Sequence, residues 1–251
     1  MNMSNFFESL RKLAATAYDN VGFLLISAAI VAILILAAYG AEFFIAKKTG
    51  IPRKNDKLKI KRMALIAMLA AISIILMLFK FPLWFVPSFY TLDLSEIPVI
   101  FGAFALGPVA GLLIEFIKIL LNLLVNGTTT AFVGELANFL MGSAYIIPAG
   151  AIYFYRKTKK GALVGLISGT VIATISSAFL NAYVLLPKYM QLMHKDLQYF
   201  IDKGAEKNAA IDSMFTFIFF GVVPFNLLKY AIVSLVIALV YKYISKLIKQ
   251  A

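Results

Sequence analysis

The chain has 251 residues, of which 62% are apolar and only 14% are charged. A soluble domain carries roughly 45–50% apolar and about 25% charged residues, so this composition argues against a soluble domain. The absence of cysteine excludes disulfides, iron–sulfur clusters and thiolate zinc sites. The lone histidine, His194, lies in a polar segment, which is typical of a solvated side chain rather than a metal ligand.

The N-terminal part of the chain predicts a membrane helix outside the main body. Residues 1–20 are polar and weakly amphipathic, and residues 21–46 form the first long apolar run. That run exceeds the roughly 20 residues needed to cross a bilayer and is too long for the core of a signal peptide. The basic linker 47–62 follows, so we divide the chain into an N-terminal extension, 1–60, and a membrane domain, 61–251.

The remaining apolar runs predict six helices in the main body. They cover approximately residues 62–79, 97–106, 108–125, 132–155, 162–186 and 214–243. In lipid the backbone must satisfy its own hydrogen bonds, so such runs must be helical. Gly107 and Pro108 divide the second helix from the third; a single kinked helix is the alternative, and it would reverse every later segment. Pro187 is expected to end the fifth helix.

The predicted fold is therefore an all-α integral membrane protein, with a six-helix bundle and one extra N-terminal transmembrane helix. Its net charge of +12 indicates the orientation. Fifteen of the 24 basic residues, but only one acid, lie in residues 47–62, 156–160 and 242–251. Basic segments collect on the cytoplasmic side, so both ends of the main body are expected inside and residues 1–20 outside. Nucleic-acid binding is the weaker interpretation of the charge.

Polar side chains interrupt the apolar helices. They are Glu115, Lys118, Asn122, Glu135, Asn138, Asn181, Asn226 and Lys229. Polar groups at membrane depth usually face protein or a cavity and pair with one another. Glu115, Lys118 and Asn122 share one helix face, and we favour a packing network for them over a ligand contact.

A second polar set lies toward the outer ends of the last two helices. Asn226 and Lys229 are three residues apart, and Pro224 removes a backbone donor and opens the helix there. Lys229 needs a partner from another helix, a lipid phosphate or a bound solute. With Asn181 these groups form either interhelical hydrogen bonds or a binding site, and the residues alone do not favour one over the other.

Two further features allow a structural and a functional interpretation. The loop 81–96 is rich in proline and aromatic residues, which suits membrane-interface anchors or the walls of a pocket for a flat heterocycle. Ala67 and Ala71, four residues apart on one helix, suit helix packing within the chain or an intermolecular face. No nucleotide-hydrolysis motif and no catalytic constellation are present, so an ATPase, if used, is another chain.

Five stretches together resemble a known family. They are RMALIAMLAAIS (62–73), TLDLSEIP (91–98), FALGPVAGLLIEFIKILLN (104–122), LNAYVLLPKY (180–189) and PFNLLKY (224–230). In this order, over about residues 61–249, they resemble the riboflavin-specific substrate-binding subunits, or S components, of energy-coupling factor (ECF) importers. The extra N-terminal helix has no counterpart in the six-helix family pattern.

The resemblance implies high-affinity binding of riboflavin near the outer face, under the first external loop. It implies that Asn181, Asn226 and Lys229 hold the polar edge of the isoalloxazine ring, with contacts from Thr91, Leu92 and Asp93 in the loop. It further implies that Ala67 and Ala71 face a shared transmembrane coupling protein.

The same resemblance implies that two cytoplasmic ATPases drive uptake and that the S component topples in the membrane to release its ligand. Riboflavin is then transported cargo; no cofactor, catalytic residue or metal site is implied, and acceptance of FMN stays open. The alternatives are an S component for another vitamin and a stand-alone ion-coupled transporter with Glu115 or Glu135 as the ion carrier. A third alternative is a membrane enzyme or scaffold.

Overall fold

The computed structural model describes residues 3–49, 59–87 and 90–250. Its helices are α1 (Met3–Asp19), α2 (Val21–Thr49), α3 (Lys59–Leu78), α4 (Glu96–Leu106), α5 (Pro108–Asn126), α6 (Val133–Tyr155), α7 (Lys159–Leu180), α8 (Leu186–Met193), α9 (Leu197–Ala205), α10 (Met214–Phe217) and α11 (Val223–Gln250). Two π-helical turns, Asn181–Leu185 and Ile218–Val222, precede α8 and α11. Two short strands, β1 (Phe81–Pro82) and β2 (Thr91–Leu92), pair antiparallel.

The all-α membrane fold is confirmed. Within the described residues, six helical segments are long and apolar enough to cross a bilayer, and α4 is a shorter apolar helix. With 11 residues, α4 reaches only about 16 Å, and it packs against α3, α5, α6 and α11 inside the bundle. The predicted division between α4 and α5 is confirmed, because Gly107 adopts a φ of +102° that a residue with a side chain rarely adopts.

The N-terminal extension forms two helices, and its first, α1, was not predicted as a helix. The second, α2, packs along α5 and α6. Ala38 of α2 is fully buried there, and Glu42 accepts a hydrogen bond from the backbone N–H of Val109 at 2.9 Å. Glu42 thus caps the first turn of α5, where the helix dipole favours a carboxylate. The predicted boundary at residue 60 stays a prediction, because residues 50–58 of the linker lie outside the described residues.

Two prolines are accommodated by π-helical turns rather than by helix ends. The backbone N–H of Leu186 donates a hydrogen bond to the carbonyl of Asn181, five residues earlier. The N–H of Val223 donates to the carbonyl of Ile218 in the same way. Pro187 and Pro224 directly follow these wider turns. The prediction that the helix ends at Pro187 is therefore wrong, since it continues as α8 to Met193. The predicted local opening at Pro224 is confirmed.

One end of the bundle carries a small cap. It consists of the β1–β2 ribbon, α8 and α9, and it includes the segment 188–212 that the sequence predicted only as polar. Phe200, Ile211 and Phe217 form a buried apolar cluster beneath this cap. The cap therefore has a core of its own and covers one end of the helices.

Candidate functional site

A cavity of about 1120 Å³ lies between the cap and the helices. Five of the six predicted ligand-binding residues line it: Thr91, Asp93, Asn181, Asn226 and Lys229. The sixth, Leu92, pairs with Phe81 in the two-stranded ribbon and is not among the lining residues. The structure thus brings together the polar groups that were predicted to converge from separate segments.

Asn181 begins the first π-helical turn and is only 2% exposed. Its Nδ2 donates to the carbonyl of Ser177 at 2.8 Å, and its Oδ1 accepts from the hydroxyl of Tyr90 at 2.6 Å. One-turn π bulges such as this one frequently occur at functional sites. Both ends of the carboxamide are therefore oriented, one by the helix and one by Tyr90 of the loop 81–96, called the capping loop from here on.

Asn226 follows the second π-helical turn and is likewise 2% exposed. Its Nδ2 donates to the carbonyl of Val222 at 2.9 Å, the same four-residue reach that Asn181 makes. Among the described residues its Oδ1 has no hydrogen-bond partner, so it is left to accept a hydrogen bond in the cavity. The two π-helical turns contact each other, which explains why Asn181 and Asn226 share one cavity although 45 positions separate them in the sequence.

Lys229 finds its partner in the capping loop. Its Nζ lies 3.2 Å from Oδ2 of Asp93, and both side chains are nearly buried. Burial raises the pKa of Asp93, but the ammonium groups of Lys229 and Lys118 and two hydrogen bonds from Ser95 outweigh it and bring the pKa down to about 2. Asp93 is therefore ionised at neutral pH and holds the lysine ammonium at the cavity wall.

The capping-loop aromatics divide into two groups. Trp84 and Phe81 are 83% and 54% exposed, as interface anchors would be. Tyr90 instead lines the cavity, with its ring 5.2 Å from that of Phe225, and burial raises the pKa of its hydroxyl well above the ordinary value. Phe89 lies outside the described residues. The exposed pair suits the first interpretation of this loop, and Tyr90 suits the second.

Sequence reasoning missed part of the cavity wall. Glu135 Oε2 accepts from the hydroxyls of Thr128 and Thr130, each at 3.2 Å, and all three residues line the cavity together with Asn138. Glu135 and Asn138 are three residues apart at the start of α6, so their shared helix face was a readable signal. The threonines could not be assigned, because a short polar turn resembles any solvated loop.

The predicted packing network on α5 is confirmed for two of its three members. Lys118 Nζ lies 2.5 Å from Oε2 of Glu115, and both side chains are fully buried. Asn122 instead accepts a hydrogen bond from Asn126 and lines the cavity. The network gains Glu96 of α4, whose Oε1 lies 3.0 Å from the Lys118 ammonium.

The face of α3 that carries Ala67 and Ala71 is exposed. Large apolar side chains surround these small residues, among them Met63, Met68 and Ile72, which are 68%, 51% and 42% exposed. The opposite side of α3 packs against α4 and α5. The alanines therefore do not serve packing within the described part of the chain, and the face is open to lipid or to a partner.

Comparison with known proteins places these features in one family. The family model described as the substrate-specific component of ECF transporters matches residues 61–241. A solved structure of the S component of a bacterial ECF transporter superposes with a TM-score of 0.59 at 33% identity, covering 76% of this chain and 99% of that one.

Curated relatives share most of the same region. The riboflavin transporter RibU of Staphylococcus aureus (strain TCH60) is 34% identical over 198 residues, which is 79% of this chain and 97% of the relative. The riboflavin transporter FmnP of Bacillus subtilis (strain 168) is 30% identical over 194 residues, covering 77% and 96%. The relatives are thus matched almost end to end, and part of this chain lies beyond the match.

Proposed function

Since the chain belongs to the substrate-specific components of ECF transporters, we propose that it is the riboflavin-binding membrane subunit of such an importer. It captures a solute and is not an enzyme. The names of its relatives support riboflavin as that solute. The observation that carries the proposal is the convergence of Asn181, Asn226 and Lys229 on one capped cavity.

The polar edge of the flavin ring presents an N–H between two carbonyl oxygens. A complementary wall needs a donor, an acceptor and a second donor. Lys229 supplies an ammonium donor and Asn226 an Oδ1 acceptor, while the Tyr90–Asn181 pair can act as either, because a hydroxyl and a carboxamide both donate and accept. Apolar and aromatic groups in the same wall, such as Phe225 and Met141, suit the flat ring.

The ribityl chain carries hydroxyl groups that need polar partners. We place them against Glu135, Thr128 and Thr130, which line the same cavity. Lys80 and Lys207 also line it, so the phosphate of FMN would meet basic groups there. On this basis FMN is a second ligand. Its affinity, measured relative to that of riboflavin, should fall as the salt concentration rises, because salt screens the attraction between the phosphate and the lysines.

The energy for uptake comes from other chains in this proposal. A transmembrane coupling protein docks on the exposed α3 face around Ala67 and Ala71, and two cytoplasmic ATPases drive the cycle. Both ends of the main body lie in the cytoplasm, as the basic segments indicate. The competing role for Glu115 as an ion carrier is disfavoured by its ion pair with Lys118 at 2.5 Å.

Reconstituted vesicles test the proposal. Riboflavin should enter vesicles that contain this chain, the coupling protein, both ATPases and ATP, and uptake should stop when ATP is left out. Vesicles with this chain alone should bind riboflavin without accumulating it. Accumulation by the chain alone, driven by a proton or sodium gradient, would instead establish a secondary transporter.

A further inference from the structure

A cluster of five buried ionisable side chains connects the cavity to the interior of the bundle. Its carboxylates are Asp93, Glu96 and Glu115, its ammonium groups belong to Lys118 and Lys229, and none of the five is more than 8% exposed. Only Asp93 and Lys229 line the cavity; the other three lie behind its wall. Charges at membrane depth are costly and usually mark a functional element, and ligand binding by itself needs no charge behind the wall.

Ser95 links the charges of this cluster. Its N–H donates to Oδ1 of Asp93 at 2.9 Å, and its hydroxyl donates to the same oxygen. The hydroxyl oxygen also accepts from the ammonium of Lys118 at 3.2 Å. Asp93 in turn holds Lys229. A displacement of Asp93 therefore cannot leave Ser95 in place without breaking two of its hydrogen bonds.

The same residue is attached to α3. The buried hydroxyl of Ser73 donates to the backbone carbonyl of Ser95. At 100° per residue, Ala67 and Ala71 lie about 120° and about 160° around the helix from Ser73. One side of α3 is thus bonded to the base of the capping loop, and the exposed side carries the two alanines.

We propose that Ser95 is a positioning residue that couples ligand binding at Asp93 and Lys229 to the placement of α3, through Ser73. This inference rests on the proposed function, because riboflavin is the ligand that engages Lys229. Occupation of the cavity changes the Asp93–Lys229 contact; Ser95 moves with Asp93, and the Ser73 hydrogen bond carries that movement to α3. A chain of contacts establishes coupling only when perturbing a link removes the response.

The absence of native cysteine allows a clean test. Ala67→Cys places a single thiol on the exposed face of α3, and its rate of reaction with a maleimide is measured with and without saturating riboflavin. We expect riboflavin to change this rate by about fivefold, the lower end of typical coupling between sites. Adding Ser73→Ala should reduce the change to less than about twofold, because the hydrogen bond to Ser95 is lost.

The matched control is Ser143→Ala. Ser143 is fully buried in α6, and its hydroxyl has no hydrogen-bond partner in the described part of the chain, so the full response should remain. If Ser73→Ala does not fold, Ser95→Ala takes its place; it removes the hydroxyl bonded to Asp93 and Lys118 and should also diminish the response.

The outcomes separate the two claims. If the unsubstituted chain binds no riboflavin, the proposed function fails and the coupling with it. If it binds riboflavin but the labelling rate is the same with and without ligand, the coupling alone is overturned. A full response in Ser73→Ala, or in Ser95→Ala where Ser73→Ala does not fold, would overturn it as well.

Discussion

The Asp93–Lys229 ion pair allows a quantitative test of how the cavity holds its ligand. The two charged atoms are 3.2 Å apart, and at an effective dielectric of about 20 their attraction is about 5 kcal/mol. Desolvation offsets much of this, so a coupling between the two side chains of about 1–3 kcal/mol should be measurable. Asp93 then acts on the ligand through Lys229.

Lys229→Met should raise the Kd for riboflavin about 100-fold, because a hydrogen bond from a charged donor contributes about 1.5–3 kcal/mol. Asp93→Asn should raise it about tenfold, since the ammonium loses the partner that positions it. In the double variant the rise in Kd should stay near 100-fold. Independent effects would give about 1000-fold, so the difference corresponds to about 1.4 kcal/mol of coupling. The assay is quenching of riboflavin fluorescence in detergent, with Lys160→Met as control, because Lys160 is exposed and does not line the cavity. A double variant near 1000-fold would refute the reasoning.

Titration with acid probes the same pair. The pKa of Asp93 in the folded chain is about 2, below its usual 3.8. The Asp93 carboxylate therefore contributes its full stabilisation from neutral pH down to about pH 4, and that contribution is lost as the pH falls toward 2. Riboflavin affinity should accordingly lack an Asp93-dependent change between pH 8 and pH 5. A transition in that range that disappears in Asp93→Asn would contradict the assignment.

Three further variants have defined outcomes. Asn226→Ala should weaken riboflavin binding by roughly 1–3 kcal/mol, and unchanged affinity in detergent would remove this residue from the site. Ala67→Trp combined with Ala71→Trp should leave binding intact and abolish ATP-driven uptake, so retained uptake would exclude this face as the docking surface. Glu42→Ala should lower stability by about 1 kcal/mol through loss of the α5 cap, while the exposed Glu8→Ala should not; equal melting temperatures for the two variants would show that the contact contributes nothing.

Much of the fold follows from the sequence because a bilayer restricts the choices. Apolar runs of this length must be helical, and Gly107 followed by Pro108 permits a turn between two helices. The polar exceptions were equally informative. Asn181, Asn226 and Lys229 are costly in lipid, so their appearance at similar predicted depth indicated either interhelical hydrogen bonds or a binding site. The structure places all three in the wall of one cavity.

Other features depend on contacts between distant segments. The π-helical turn let the chain continue past Pro187, and a proline alone cannot distinguish a helix end from such a turn. The partner of Lys229 is Asp93, 136 positions away, and the hydroxyl on Asn181 comes from Tyr90, 91 positions away. No local pattern encodes such pairings, because they arise only once the capping loop has folded back over the helices.

An equilibrium titration of the purified chain with riboflavin tests the central claim most directly. We predict that riboflavin fluorescence is quenched to a plateau at one molecule per chain, with a Kd well below 1 μM, equivalent to more than about 8 kcal/mol of binding free energy. Asn226→Ala and Lys229→Met should each shift the curve to higher concentration. At a protein concentration of about 100 μM, any Kd tighter than about 1 mM would already produce measurable quenching. The absence of quenching at that concentration would show that this cavity does not hold a flavin.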